Sequence, residues 1–176
     1  MLRSVEEQAL RCKEIVAQLL RFTATSDGDG TLDRRARDVV DLDEVLVEVV
    51  ALVGNPFRAR GVSLEHRRSG PLLVRGDRGQ LASALTQLLA SMRAAGGRGG
   101  SLALSSAARA GVIELRFELH PGEASSAADD WKASGLGFWA AQQTLAAHGG
   151  QLVTPDLEPT RPQGSNLLWR VVLPAA

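Results

Sequence analysis

Apolar residues recur at helical spacing near the start of the chain. Val5, Ala9, Cys12, Val16, Leu19 and Leu20 form one stripe, widened by Ile15 and Phe22, which predicts a helix from Ser4 to Thr23. Ser4 with Glu7 gives it a capping-box start. The stripe suits either an ordinary amphipathic surface helix or a bundle helix that needs a partner, because a terminal helix ahead of a linker has little of its own chain to cover it. The next stretch, Thr25-Ser26-Asp27-Gly28-Asp29-Gly30-Thr31, is small, polar and Gly-rich and reads as a linker. Alternating charges from Asp33 to Asp38 read as a solvated approach to a folded domain beginning near Val40.

Within that domain the periodicity changes several times. Asp41 is an N-cap candidate with Glu44 behind it, and Leu42, Val45, Leu46, Val49 and Leu52 are expected on one helix face. Past Gly61, alternation at Val62, Leu64 and His66 predicts a strand, Ser69-Gly70-Pro71 a turn, and Leu72-Leu73-Val74 a second short strand. A long helix is expected from Asp77 to Ala95, with Leu81, Leu85, Leu88, Leu89 and Met92 inward, broken by the glycine run Gly96 to Gly100. Strands follow at Leu102–Leu104 and Val112–Phe117, then a Ser/Ala/Asp-rich loop from His120 to Ala133. A helix from Leu136 to His148 and strands at Leu152–Val153 and Leu167–Leu173 complete the chain. Helices interrupting strand pairs predict a two-layer α/β sandwich, a mixed, mostly antiparallel sheet packed on three helices, with the N-terminal helix outside it.

Composition narrows the function. Lys+Arg and Asp+Glu both number 20 in the 176 residues, so there is no basic excess of the kind a nucleic-acid binder shows. The single cysteine, Cys12, rules out an internal disulfide and fits a reducing compartment. No apolar run approaches the roughly 18 residues of a membrane helix, and the N-terminus lacks a signal-peptide core. The expectation is a cytoplasmic protein, or the cytoplasmic part of a larger one.

Ser134-Gly135-Leu136-Gly137-Phe138 is the most informative stretch. It lies where a loop meets a helix start, where glycines let backbone N–H groups approach a phosphate and the helix dipole adds favourable charge. A plain tight turn has the same local pattern. His66 and His120 read as packed or solvated histidines, and His148 as a last-turn residue whose cation suits the helix dipole. Trp131 and Lys132 in Asp129-Asp130-Trp131-Lys132 suggest the edge of a lid, or simply a charged loop. Arg78, Arg93 and Arg98 flank the long helix as possible phosphate contacts. No spacing suggests a zinc site.

From Ser134 the chain reads SGLGFWAAQQTLAAHGGQL. This resembles the segment of bacterial sensor histidine kinases that begins Gly-Thr-Gly-Leu-Gly-Leu, continues as a helix and ends His-Gly-Gly before a strand. Asp77 to Ala95 resembles that family's helix carrying two Asn residues, and Gly164 to Pro174 its closing strand. Arg11 to Phe22 looks like the second helix of its dimerisation hairpin. The resemblance covers nearly the whole chain and implies the Bergerat (GHKL) ATPase fold. It divides the chain into residues 1–25, part of a dimerisation hairpin; 26–38, a linker; and 39–176, an ATP-binding catalytic domain.

The resemblance implies ATP and Mg²⁺ as ligands. It places nucleotide binding at Gln87, Ser91, Glu118, Gly122, Lys132, Ser134, Gly135, Leu136, Gly137 and Phe138, with Arg93 as a phosphate contact. Here the chain departs from the family. The two helix Asn positions are Gln87 and Ser91, and Ser91 offers Mg²⁺ a poorer ligand, leaving the metal to the phosphates. The adenine-reading Asp aligns with Glu118, the first Gly of the following loop is His120, with Pro121 and Gly122 in place, and the first Gly of the Gly-Leu-Gly motif is Ala133. The implied activity is phosphorelay signalling: transfer of the γ-phosphoryl of ATP to a hairpin histidine that this chain does not contain. The implied partners are that hairpin, a response regulator and a second copy held weakly through the N-terminal helix. A degenerate ATPase-like interaction module without turnover is the other reading. A serine kinase of the anti-sigma type on the same fold is a third, against which the hairpin-like N-terminal helix speaks.

Overall fold

In the computed structural model the chain divides into Met1–Ala36 and Arg37–Ala176. The structure describes residues 38–123, 135–155 and 166–176, all in the second unit. The expected N-terminal helix, the linker and the Asp129–Lys132 segment lie outside them.

The domain opens with a short strand, β1 (Asp38–Asp41), where only a solvated approach was expected. Its Val39 is exposed, so four residues with acids at both ends offer no alternation to read. Asp41 then caps α1 (Leu42–Ala59). Its Oδ1 accepts from the N–H of Asp43 at 3.0 Å and from that of Leu72 at 3.0 Å, so one carboxylate caps the helix and pins it to a distant segment. The buried face of α1 is Leu42, Val45, Leu46, Val49, Val53 and Phe57. Leu52, expected inside, is 69% exposed; the helical period carries the stripe from Val49 to Val53 instead.

Strands β2 (Ser63–Arg67) and β3 (Leu73–Gly76) do not pair with one another. β3 runs antiparallel to β1 in a separate two-stranded sheet. Asp77 caps α2 (Arg78–Ala95), accepting the N–H of Gln80 at 2.8 Å. Then come β4 (Ser101–Arg109), β5 (Val112–His120), α3 (Gly135–Ala147), β6 (Gln151–Val153) and β7 (Leu167–Pro174). The main sheet has the order β2-β4-β5-β7-β6, with β2 and β4 parallel and every other pair antiparallel.

Alternation along each strand sends one set of side chains toward the helices. On β5 these are Ile113, Leu115, Phe117 and Leu119; on β7, Leu167, Trp169, Val171 and Leu173. They meet Leu81, Leu85, Leu88, Leu89 and Met92 of α2 in one continuous core. The helix α2 packs against both α1 and α3. Removing a ring such as Phe117 from this core would cost about 3–5 kcal/mol. The architecture is the expected one: a mixed, mostly antiparallel sheet and three helices among the described residues.

Candidate functional site

Helix α3 begins at Gly135, whose φ of +56° is strained for any residue with a Cβ. Gly137 is buried in the first turn, and Phe138 is half-buried against the core. A chain that enters a helix through Gly-Leu-Gly leaves the first N–H groups of the helix uncrowded by side chains, which is the chemistry an anion needs. Ser134 and Lys132 lie outside the described residues.

Gln87 and Ser91 sit one turn apart on α2, the helix packed against α3. Gln87 is half-buried, while Ser91 is 7% exposed and its Oγ donates to the Gln87 carbonyl at 3.0 Å. The hydroxyl proton is thus committed within the helix. Among the described residues no cluster of three His, Cys, Asp or Glu could hold a metal. The donors here do not fit a protein-held Mg²⁺: one buried hydroxyl and one amide are a poor set for a hard cation that prefers carboxylates and water. Arg93 is half-buried in the last turn of α2, where a cation suits the dipole.

Glu118 is where the structure departs from the aligned motif. It is part of β5, between the inward-facing Phe117 and Leu119, and its side chain is 49% exposed on the face of the sheet away from the helices. There Asn166 Nδ2 donates to Glu118 Oε1 at 3.3 Å, and His120 Nε2 lies 3.6 Å from the same oxygen. A period of two leaves no choice: neighbours in a strand face opposite ways. The carboxylate of Glu118 is therefore on the wrong side to read a base held between sheet and helices, and the inward position belongs to Leu119, fully buried. Further along the same outer face, Arg116 Nε lies 2.9 Å from Glu114 Oε1 and Arg170 Nη1 4.0 Å from it. The Arg116 hydrogen bond, offset in part by desolvation, holds the Glu114 carboxyl below the usual carboxylate range.

Gly122 has a packing role. Its N–H donates to the Gly96 carbonyl at 2.8 Å, and the N–H of Glu123 donates to the Arg98 carbonyl at 2.8 Å. A Cβ on Gly122 would come within 2.0 Å of the Arg98 carbonyl oxygen, and one on Gly100 within 2.3 Å of the Gly96 oxygen. The glycine run after α2 thus lies backbone to backbone against the loop after β5. An open cavity of about 540 Å³ is lined there by Arg98, Gly99, Pro121, Gly122 and Glu123. Gly122 and Arg98 are the candidate residues in its lining.

Other residues take firm places. Arg78 is engaged by Glu48 at 2.6 Å and Glu44 at 3.6 Å, tying α2 to α1 and leaving it committed away from a phosphate. His148 corrects its reading as a dipole-facing cation. It is buried, its Nε2 accepts the N–H of Asp77 at 3.1 Å, and its Nδ1 donates to the Thr144 carbonyl at 2.8 Å, so the ring is the neutral Nδ1–H tautomer. Sequence reasoning also missed Asp43, 1% exposed, whose Oδ2 takes Arg68 Nη2 at 2.6 Å and Nε at 2.8 Å. Leu119 was legible: Ile113, Leu115, Phe117 and Leu119 alternate without interruption.

No protein-family model matches the chain, and no curated protein does. Solved structures do. A histidine kinase of Acinetobacter baumannii, AdeS, is similar with a TM-score of 0.70 at 19% identity, over 98% of this chain and 83% of that one. A mycobacterial sensor histidine kinase, MprB, gives 0.62 at 22% identity, over 79% of this chain and 97% of that one. The histidine kinase ThkA in complex with the response regulator protein TrrA gives 0.67 at 16% identity, over 97% of this chain and 49% of that one. A five-stranded mixed sheet carrying α1, α2 and α3, with α3 opening at Gly135-Leu136-Gly137, thus has the fold of sensor histidine-kinase catalytic domains.

Proposed function

We propose that this chain is the ATP-binding catalytic domain of a two-component sensor histidine kinase, working in the cytoplasm. The observation that carries the proposal is a likeness in fold to histidine kinases that extends over 97–98% of the chain, with α3, which opens at Gly135-Leu136-Gly137, packed against the helix that carries Gln87 and Ser91. The phosphates of ATP are received by the N–H groups that open α3. The γ-phosphoryl passes to an imidazole nitrogen of a histidine on a dimerisation hairpin as ADP leaves, a reaction in which positioning and charge neutralisation supply most of the catalysis. Residues 1–25 give a weak self-association, and a response regulator is the partner, a reading supported by the complex of ThkA with the response regulator protein TrrA. The test is transfer in trans: labelled ATP, this chain and a separately supplied hairpin bearing the acceptor histidine. Label on the hairpin supports the reading, and none at any Mg²⁺ concentration rejects turnover.

A second reading keeps the nucleotide site and drops turnover. It is favoured by Ser91, whose hydroxyl is bonded back to its own helix, and by Leu119 in the inward position at the end of β5. Such a chain would engage its partner as a nucleotide-responsive module. Ser91→Asn separates the two, since a restored amide ligand should raise the Mg²⁺ dependence of ATP binding in a working site and leave it unchanged in a site that never uses the metal.

A further inference from the structure

The side of the main sheet that faces away from the helices carries its charge in rows. Arg67 on β2, Arg116 on β5 and Arg170 on β7 stand in one cross-strand row, joined through Ser105 on β4. All three are exposed, Arg116 with 50% and Arg170 with 46% of its side chain in solvent. The row on one side holds Glu65 and Glu118, joined through Ala103, and the row on the other holds Glu114. Arg116 and Arg170 are direct partners in the register, and like charges placed opposite one another destabilise a sheet. One carboxylate, Glu114, serves both, and Arg109 attracts it as well. Glu118 is engaged by Asn166, with His120 beside it. Arg67 is in no ion pair among the described residues.

We infer that this face docks a partner protein through a helix that lays a single ridge of carboxylates across the strands. The inference is independent of nucleotide binding. Charge complementarity selects the partner. The arginines stand on an open strand face, whereas small ligands take concave sites. A membrane or a nucleic acid is anionic throughout, so it would meet the carboxylates on both sides of the row together with the arginines. One ridge of acids meets the arginines alone. The spacing suits a helix: neighbouring strands lie about 4.8 Å apart, close to the roughly 5.4 Å of one helical turn. Alternate residues of an extended partner fall about 6.7 Å apart, too far for the Arg116–Arg170 pair. Acids one turn apart face Arg170 and Arg116, and an acid two turns further on faces Arg67. Each carboxylate gains a charge-assisted hydrogen bond, and the Arg116–Arg170 repulsion is relieved.

The test titrates the isotope-labelled full chain with two synthetic helical peptides of identical composition, followed by NMR. One carries glutamates at i, i+4, i+7 and i+11 flanked by lysines; the other spreads the same residues evenly around the helix. Vesicles of phosphatidylserine are the third probe. The ridge peptide is expected to shift the Nε–H signals of Arg67, Arg116 and Arg170 saturably and to bind about tenfold or more tightly than its isomer. Arg67→Gln, which breaks no ion pair among the described residues, should keep the thermal unfolding midpoint and weaken the ridge peptide about threefold. Equal affinity for the two peptides, or no binding of either at millimolar concentration, overturns the proposal. So does uptake of the chain by the vesicles that the ridge peptide does not compete away, or unchanged peptide affinity in Arg67→Gln.

Discussion

The Nε2 atom of His148 accepts the backbone N–H of Asp77 across 71 residues of sequence, at 3.1 Å. Asp77 is the N-cap of α2, and His148 immediately follows α3, so one imidazole joins the start of one helix to the end of another. Gly76 lets the ring approach: a Cβ there would fall 2.5 Å from His148 Cδ2. His148→Phe keeps an aromatic ring but removes the acceptor of the Asp77 N–H, and should lower stability by about 0.5–1.5 kcal/mol. Gly76→Ala should cost about 1–3 kcal/mol by overpacking the same contact. Urea midpoints of the three proteins check both.

Asp43 gives a second prediction. It is 1% exposed, and its ion partner Arg68 is 62% exposed, so the attraction is screened on one side. Arg68→Leu leaves a buried carboxylate with its charge unmatched and should destabilise by about 1–3 kcal/mol. Replacing both residues with leucine should be milder than Arg68→Leu alone, because the buried charge leaves with its partner. A double-mutant cycle in urea measures the difference.

His66 predicts a pH dependence. Burial, which is the largest influence, lowers its pKa from the ordinary 6.5; Asp43 raises it and Arg68 lowers it further. Its Nε2 is buried with no hydrogen-bond partner. The unfolded chain therefore binds a proton at His66 more readily than the folded one, and this contribution to stability is complete above pH 6.5. It declines as the pH falls from there toward the folded pKa. His66→Gln should flatten the fall in urea midpoint on acidification; an unchanged slope would contradict the assignment.

Much of the fold could be read from the residues alone, and the failures have definite causes. The caps at Asp41 and Asp77 and the inward stripe of α2 follow from side-chain chemistry within a few positions, so they were legible. Strand β1 was not, because its pairing with β3 depends on residues far along the chain. Glu118 was assigned by lining up Pro121-Gly122 with a loop motif, a rule that ignores strand alternation. The uninterrupted sequence Ile113, Leu115, Phe117, Leu119 carries the opposite message, and alternation prevails because turning Glu118 inward would expose all four. The pairings of His148 with Asp77 and of Asp43 with Arg68 join distant segments and leave no local trace.

Gly122 separates packing from binding. Gly122→Ala places a methyl group against the Arg98 carbonyl and should destabilise the domain by about 3 kcal/mol or more, with any loss of ligand binding following the loss of fold. Thermal unfolding without nucleotide checks this; a variant as stable as the parent would show that the two loops do not lie as close as described.

Glu118→Gln is expected to leave nucleotide affinity within about twofold, since the side chain lies on the outer face and a change there removes no contact to the ligand. Gly137→Ala, in the buried first turn of α3, should weaken binding while the fold survives. Titration of both variants with ATP provides the contrast.

The most direct measurement is an amide-resolved NMR titration of the full chain with Mg²⁺–ATP. The account predicts saturable shifts concentrated at Gly135 to Phe138, with smaller ones at Gln87, Ser91 and Leu119, and quiet amides at the outer-face residues Glu114, Arg116 and Arg170. No shifts at millimolar ATP, or shifts centred on Glu118 and its outer-face neighbours, would contradict it.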